Sequence, residues 1–152
     1  CFEENRKKPA GCFQMIITNS DGGSRGNPGP AAVGVVIRDK SGILLEYSEK
    51  LPGKVTSNVA EYMGLIRALQ LAKRYTKEEV FCILDSQLVV KQLMGEYSVK
   101  NPQLLKLFLK VQELQEDFEK INYKFVKRSN KFQKHADYLL NKELDKFQGK
   151  NQ

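Results

Sequence analysis

The strongest constraint on the fold of this chain is a short apolar segment near its middle. Residues 80–84 carry no polar side chain, and the run stops at Asp85. The run is too short for a typical helix, and it lacks the polar alternation of a strand with one solvated face. It therefore predicts a strand that is covered on both faces, as in a sheet between layers of helices.

The segments around this strand predict a mixed α/β sheet. Strands are expected at residues 15–20, 33–37 and 43–51, and because turn-forming residues separate them, these strands should be antiparallel neighbours. Helices are expected at about 58–75, at 86–94, from Pro102 onward and at about 133–147, with a fifth strand at 121–126. This order predicts a five-stranded mixed sheet whose later strands run parallel to the first, with helices on both faces.

Length and composition are those of one folded domain. The chain has 152 residues, which is enough for a full hydrophobic core. Residues 1–14 show no periodicity and are expected to be a leader or linker, residues 15–147 the domain, and residues 148–152 a tail. No apolar run approaches the roughly 20 residues needed to cross a bilayer, and no signal peptide is visible, so a membrane partner is not expected.

Charge and cysteine content indicate the surroundings of the protein. The net charge is +7 and the isoelectric point is near 9.3, as expected of a protein that meets phosphates. Cys82 lies in the predicted buried strand, and three cysteines are an odd number, which favours a reducing compartment such as the cytoplasm. Cys1 and Cys12, without a His beside them, make only a weak case for zinc.

Four acidic residues stand where solubility does not require them. Asp21 and Asp85 end the first and fourth predicted strands, so their carboxylates should emerge at the same sheet edge if these strands are parallel neighbours. Glu61 shares a helix stripe with Leu65 and should face the sheet. Asp137 borders the buried face of the last helix. The four carboxylates are therefore expected to converge.

Converging carboxylates repel one another and are costly to bury, and divalent cations remove that cost. Oxygen ligands favour Mg²⁺ or Mn²⁺, and two such ions can activate a water and stabilise the leaving oxygen of a phosphodiester. Each acid alone also has an ordinary interpretation. Asp85 could cap a helix, Glu61 and Asp137 could be favoured by helix dipoles, and Asp21 could be a turn residue.

The context of the four acids resembles the type 1 ribonuclease H family. The matching segments, in family order, are residues 21–30 (DGGSRGNPGP), 56–62 (TSNVAEY), 84–90 (LDSQLVV), 99–102 (VKNP) and 135–139 (HADYL). The resemblance extends from about residue 15 to residue 144, nearly the whole predicted domain.

The resemblance implies an endonuclease that hydrolyses the RNA strand of RNA–DNA hybrids and leaves 3′-hydroxyl and 5′-phosphate ends. It implies two Mg²⁺ ions, for which Mn²⁺ can substitute. The implied metal ligands are Asp21, Gly22, Glu61, Asp85 and Asp137. The same four acids, together with Arg128, are the implied catalytic residues.

The resemblance also implies a set of substrate contacts. Gly22 and Gly23 lack a Cβ, so the backbone there can approach the RNA strand. Contacts beside them and near Glu61 would reach ribose 2′-hydroxyls. The implied contact residues are Gly23, Ser24, Asn27, Lys54, Thr56, Ser57, Asn58, Gln87 and Asn101. Among these, Lys54, Ser57 and Asn101 would form a pocket for a phosphate of the DNA strand. Loop capping is the ordinary alternative for these polar residues.

The sequence departs from the family pattern at several places. Many relatives carry a His in the loop before the last Asp, but the one His here, His135, lies two residues before Asp137 and is expected to have a surface or packing role. Arg128 resembles the Arg that other branches have in that loop, at a spacing about two residues longer. Ser57 stands where many relatives have Asn. Residues 95–101 leave no room for the extended basic helix and loop of some relatives.

Other functions stay open at this point. One is a domain of the same fold that binds hybrids or duplex RNA without cutting, although a pure binder does not need four acids facing a phosphate. Another is the ribonuclease H domain of a reverse transcriptase polyprotein. A structural protein would leave the ordered motifs to chance. A monomer is expected, because no exposed apolar stripe demands a partner.

Overall fold

The computed structural model describes residues 15–150, with side chains described as far as Phe147. Five strands and four helices follow one another along this part of the chain. Their bounds are β1 Met15–Ser24, β2 Gly29–Asp39, β3 Gly42–Val55, α1 Ser57–Ala72, β4 Glu79–Leu84, α2 Gln87–Leu93, α3 Pro102–Gln115, β5 Lys120–Phe125 and α4 Lys131–Lys150. The leader expected at residues 1–14 lies outside the described residues.

The strands form one mixed sheet in the order β3-β2-β1-β4-β5. β1 pairs antiparallel with β2, and β2 pairs antiparallel with β3. β1 pairs parallel with β4, and β4 pairs parallel with β5. The predicted fold class, an antiparallel group of three strands followed by parallel crossovers, is confirmed.

The predicted strand bounds were wrong at the glycine-rich segment. Residues 22–30 were expected to form a loop, but β1 continues to Ser24 and β2 begins at Gly29, with Ser24 opposite Ala31. β3 likewise continues past residue 51 to Val55, opposite Gly29. Interstrand pairing overrides the weak strand propensity of Gly and Pro. Asp21 therefore lies within a paired strand, opposite Gly34, rather than at a strand end.

Helix bounds differ from the predicted ones because of local caps. The side chain of Thr56 caps α1, so the helix begins at Ser57 rather than Asn58. Asn130 Oδ1 accepts hydrogen bonds from the backbone N–H groups of Phe132 and Gln133, so α4 begins two residues before the predicted start at Gln133. α4 also continues to Lys150, beyond the predicted end at residue 147.

The sheet is buried between helices on its two faces. The larger core cluster joins α1, α2 and α3 to one face, and includes Ile16, Val35, Leu65, Cys82 and Val111. α4 covers the other face, where Leu140 and Leu144 pack against Ala32, and Ala136 and Leu139 pack against Val36. No helix among residues 15–150 is both long and apolar enough to span a membrane.

Two glycines allow helices to approach the central strands closely, one on each face. A Cβ at Gly22 of β1 would overlap the carbonyl oxygen of Ala60 in α1. A Cβ at Gly34 of β2 would overlap the carbonyl oxygen of Ala136 in α4. Ala60 and Ala136 each precede an acidic residue of the predicted site, so these contacts bring α1 and α4 to Asp21 from opposite sides.

Candidate active site

Three carboxylates meet where the parallel pairing of β1 with β4 ends. One oxygen each of Asp21, Glu61 and Asp85 lies within 4.8 Å of the other two. The parallel ladder ends with Asn19 opposite Ile83, and the same register, two residues on, places Asp21 opposite Asp85. Both carboxylates then emerge on one face of the sheet, because side chains of a strand alternate between faces. Strand register thus brings together two acids that lie far apart in the sequence.

Glu61 reaches this pair from α1. The close approach at Gly22 holds the helix against the strand, and the backbone N–H of Gly22 donates a hydrogen bond to Glu61 Oε1 at 3.3 Å. Glu61 Oε2 is buried and has no hydrogen-bond partner, and the same is true of Asp85 Oδ2. Both oxygens are therefore buried without a hydrogen bond, and only Asp85 Oδ2 has a cation near it, Arg128 Nε at 3.5 Å. Burial of this kind is costly unless a cation or a ligand binds there.

The electrostatics of the group reflect this crowding. Burial, followed by the negative charge of Glu61, raises the pKa of Asp21 well above its usual range. Burial also raises the pKa of Glu61, although a hydrogen bond to Asp21 and the charge of Arg128 act in the opposite direction. Without a cation, the folded protein therefore holds protons at this site more tightly than isolated carboxylates would.

Asp137 stands beside the three carboxylates rather than among them. It lies in the second turn of α4, outside the group that could share one ion, but its charge raises the pKa of Asp21. Its Oδ1 accepts a hydrogen bond of 3.2 Å from Asn141 Nδ2, and its backbone carbonyl accepts a second one of 2.9 Å from the same atom.

Arg128 supplies a positive charge at the open side of the site. Its Nε lies 3.5 Å from Asp85 Oδ2, while the Arg128 side chain is 80% exposed and that of Asp85 only 6%. The negative charges of Asp85 and Asp21 raise the pKa of Arg128. Despite the longer spacing from Asp137, Arg128 reaches the carboxylates, and its exposure leaves it accessible to a bound phosphate.

The ordinary interpretation fails for each acid. Ser86, not Asp85, caps α2. No acid lies in the first turn of α1 or α4, so neither Glu61 nor Asp137 is placed there by a helix dipole. Asp21 is in a strand, not a turn, and is 4% exposed. Their shared position at the sheet edge is what the four have in common.

The predicted substrate residues divide into two groups by position. The first surrounds the turn between β1 and β2 and the start of α1. There Ser24 Oγ donates to the Val55 carbonyl at 2.9 Å, and the Ser57 N–H donates to Asn27 Oδ1 at 3.1 Å. Lys54 is exposed opposite Pro30 of this turn. The backbone that follows Gly22 and Gly23 in β1 therefore leads directly into the turn where these predicted contact residues lie.

The second group lies at other helix starts. Gln87 is exposed at the first position of α2. Asn101 caps α3, accepting hydrogen bonds from the N–H groups of Gln103 and Leu104. In the first group, Thr56 caps α1, accepting from the N–H of Val59, while Asn58 is half-buried in the first turn of that helix. Capping, the ordinary alternative, thus holds for Thr56 and Asn101.

Sequence reasoning missed a buried polar cluster behind Asp21. Gln133 of α4 is fully buried, and its Nε2 donates to the Ser20 carbonyl at 2.7 Å. Asn19 Nδ2 donates to Gln133 Oε1 at 3.2 Å, and Arg38 Nε donates to Asn19 Oδ1 at 3.1 Å. The cluster fixes α4 against β1 one residue before Asp21. Polar residues on a helix ordinarily indicate a solvated face, so the sequence carried no signal for this role.

His135 points away from the carboxylates. Its Nε2 lies 2.6 Å from Glu46 Oε2 on β3, and its ring lies beside that of Tyr138. Neither neighbour belongs to the group of three carboxylates, so the contacts of His135 are separate from the site.

Comparison with known proteins places this chain in a family. A family model described as reverse transcriptase-like matches residues 19–142. The chain is 44% identical, over 132 residues, to a bifunctional protein of Mycobacterium tuberculosis, a match that covers 86% of this chain and 35% of that protein. The solved N-terminal RNase H domain of the M. tuberculosis protein superposes with a TM-score of 0.85 at 39% identity, covering 92% of this chain and 100% of that chain. The chain belongs to the type 1 ribonuclease H family.

Two further members of the ribonuclease H family are similar over most of the domain. The solved RNase H1 of Halobacterium salinarum superposes with a TM-score of 0.82 at 38% identity, covering 87% of this chain and 98% of that chain. LC11 RNase H1, solved in complex with an RNA/DNA hybrid, superposes with a TM-score of 0.78 at 38% identity, covering 86% and 97%. The chain spans only about a third of the length of the curated mycobacterial relatives that it matches.

Proposed function

We propose that the protein is an endonuclease that hydrolyses the RNA strand of RNA–DNA hybrids, leaving 3′-hydroxyl and 5′-phosphate ends. The observation that carries the proposal is the group of three carboxylates, Asp21, Glu61 and Asp85, within 4.8 Å of one another. Membership of the ribonuclease H family and the hybrid-bound LC11 structure support the interpretation of this acidic group as a nuclease site for hybrids.

The donor set fits hard divalent cations. It consists of carboxylate oxygens, of which Glu61 Oε2 is buried without a hydrogen bond and Asp85 Oδ2 is buried with only the Arg128 ion pair, and oxygen-only sites favour Mg²⁺ and Mn²⁺. Asp21, Glu61 and Asp85 would hold one Mg²⁺ ion, and Asp137 with Asp21 would hold a second, with the backbone of Gly22 at the border of the site. Such ions would supply Lewis-acid activation of a water and charge neutralisation at the phosphate.

Other residues of the chain would bind the two strands of the hybrid. Arg128, exposed beside Asp85, is placed to pair with a phosphate oxygen as negative charge develops. The glycine backbone after Asp21 admits the RNA strand, and 2′-hydroxyl contacts from the first contact group distinguish RNA from DNA. The residues expected to contact the hybrid are Gly23, Ser24, Asn27, Thr56, Asn58 and Gln87. Lys54, Ser57 and Asn101 would bind a phosphate of the DNA strand.

The test is a cleavage assay on end-labelled RNA–DNA hybrid, with single-stranded and duplex RNA alongside, in Mg²⁺ and in chelator. The expected result is cutting of the hybrid that chelator abolishes and that leaves 3′-hydroxyl ends. Tight hybrid binding without cutting in either Mg²⁺ or Mn²⁺ would replace this proposal with the binding-module alternative. Cutting of duplex RNA at a similar rate would show that duplex RNA is a second substrate.

The setting of the enzyme is part of the proposal. Cys82 is a buried free thiol, consistent with a reducing, cytoplasmic location. A monomer is expected, and light scattering of the purified chain would test it. A reverse transcriptase polyprotein remains the alternative setting, which the gene regions on either side of this chain would decide.

A further inference from the structure

A hydrogen-bonded chain connects the turn between β1 and β2 to Asp137. The Arg25 Nη2 atom donates to Asn141 Oδ1 at 3.1 Å and to the Asn141 carbonyl at 3.3 Å, and lies 2.7 Å from Asp145 Oδ1. Asn141 Nδ2 in turn donates to Asp137 Oδ1 at 3.2 Å. Neither Arg25 nor Asn141 was a candidate site residue on sequence grounds, and neither belongs to the group of three carboxylates.

The chemistry of the three groups fixes the orientation of the Asn141 amide. A guanidinium can only donate hydrogen bonds, and an ionised carboxylate can only accept them. Arg25 therefore requires the amide oxygen on its side, and Asp137 requires the amide nitrogen on the other. The amide nitrogen of Asn141 is thereby directed at Oδ1 of Asp137.

Resting on the proposed function, we infer that Arg25 and Asn141 are positioning residues for Asp137. Asn141 holds the Asp137 carboxylate in one orientation, and Arg25 acts through Asn141 by holding its amide. The turn that carries Arg25 also carries Asn27, whose Oδ1 accepts a hydrogen bond from the N–H of Ser57 at the start of α1, and Ser24 just before the turn donates to the Val55 carbonyl at the end of β3. The turn thus joins the helix that bears Asp137 to the helix that bears Glu61.

A positioning role and a simple charge effect of Arg25 predict opposite signs. If Arg25 acted only as a positive charge near the site, its removal would strengthen the binding of a cation. If it positions Asp137 through Asn141, its removal weakens cation binding. Groups behind metal ligands typically change metal affinity by about tenfold or more when removed.

The experiment is a calorimetric titration of the full chain with Mn²⁺ in the absence of nucleic acid. Asn141→Ala is expected to weaken Mn²⁺ binding about tenfold, and Arg25→Ala by several-fold. The double variant should bind no more weakly than Asn141→Ala alone, because Arg25 acts through that residue. Lys142→Ala, an exposed neighbour on the same helix, is the matched control and should bind as the parent does.

Three results would overturn the inference: unchanged or tighter Mn²⁺ binding in Arg25→Ala, unchanged binding in Asn141→Ala, or additive losses in the double variant. Absence of Mn²⁺ binding by the parent chain would overturn it as well. Thermal unfolding in chelator distinguishes a loss of Mn²⁺ affinity from a loss of folding. If the replaced residue positions Asp137, the loss of Mn²⁺ affinity should be large compared with the fall in melting temperature. Hybrid cleavage by the parent chain is measured separately. Failure of the proposed activity would appear in the cleavage assay, whereas failure of this inference would appear in the Mn²⁺ titration.

Discussion

Asp21 is the residue on which the site depends most directly. It is 4% exposed and lies close to both Asp85 and Glu61, just beyond the end of the parallel ladder between β1 and β4. Replacing either Asp21 or Asp85 with Asn keeps the size of the side chain but removes a charged cation ligand.

We expect Asp21→Asn and Asp85→Asn each to lower hybrid cleavage by about a thousandfold or more, because loss of a metal ligand costs several kcal/mol of transition-state stabilisation. Single-turnover cleavage would measure the loss, and circular dichroism would verify folding. Asp117→Asn, the same chemical change at an exposed acid paired with Lys73, should cut normally. Activity retained in either site variant would refute the metal assignment.

The raised pKa values of Asp21 and Glu61 predict a pH dependence of stability in chelator. Because both pKa values are raised in the folded state, the folded protein binds more protons than the unfolded chain once the pH exceeds about 4, the ordinary range of carboxyl groups. The free energy of unfolding then falls as the pH rises. Below that pH both states are protonated, and the penalty is absent.

Asp21→Asn removes one of these buried titratable groups. In chelator it should raise the melting temperature by several degrees near pH 7.5 and by much less near pH 4, as measured by calorimetry at both pH values. An equal shift at the two pH values would show that the carboxylate cluster is not the source of the destabilisation. Added Mg²⁺ should stabilise the parent chain more than this variant, because it binds the folded site.

At the scale of secondary structure elements, the contact between α4 and β2 sets the position of Asp137. Gly34 permits this contact, because a side chain there would overlap the backbone carbonyl of Ala136. A Cβ at Gly23 would instead meet the end of the Leu140 side chain, which can move.

Gly34→Ala should therefore destabilise the protein by about 3 kcal/mol, at the upper end of overpacking effects. Gly23→Ala, the matched variant on the neighbouring strand, should cost about 1 kcal/mol or less in the same urea unfolding experiment, since a flexible side chain can adjust. Equal losses in the two variants would contradict the close approach of α4 at Gly34.

The elements show what sequence reasoning can reach. Alternation of strand and helix patterns predicted the mixed sheet, and the parallel pairing of β1 with β4 followed from it. The lengths of β1 to β3 were underestimated, because Gly22 and Gly29 have low intrinsic strand propensity and only pairing with a neighbour makes them extended. The roles of Gln133 and Asn141 depend on contacts between distant segments, which no local pattern in one sequence encodes.

At the scale of the whole molecule, the chain combines a net charge of +7 with an acidic candidate site. The net positive charge attracts a polyanion, whereas the acidic site attracts a cation. Binding of hybrid should weaken steeply with salt, because each neutralised phosphate releases counterions.

Lys54→Ala should weaken hybrid binding and lower the slope of log affinity against log salt by about 1, as expected for one lost phosphate contact. Lys77→Ala is the control, since Lys77 precedes β4 at the opposite end of the sheet and is also exposed. Fluorescence anisotropy with labelled hybrid in chelator measures both. An unchanged slope for Lys54→Ala would remove it from the DNA-strand pocket.

The parallel pairing of β1 with β4 also bears on how the protein reaches its active form. The acidic residues come from the first strand, the first helix, the fourth strand and the last helix, so no contiguous half of the chain contains them all. A nascent chain that has emerged only through β3 can close its antiparallel hairpins but holds a single one of the four acids. The three carboxylates that would hold one ion come together only when β4 pairs with β1, which makes cation binding a reporter of sheet assembly rather than an aid to the closing of the first hairpins.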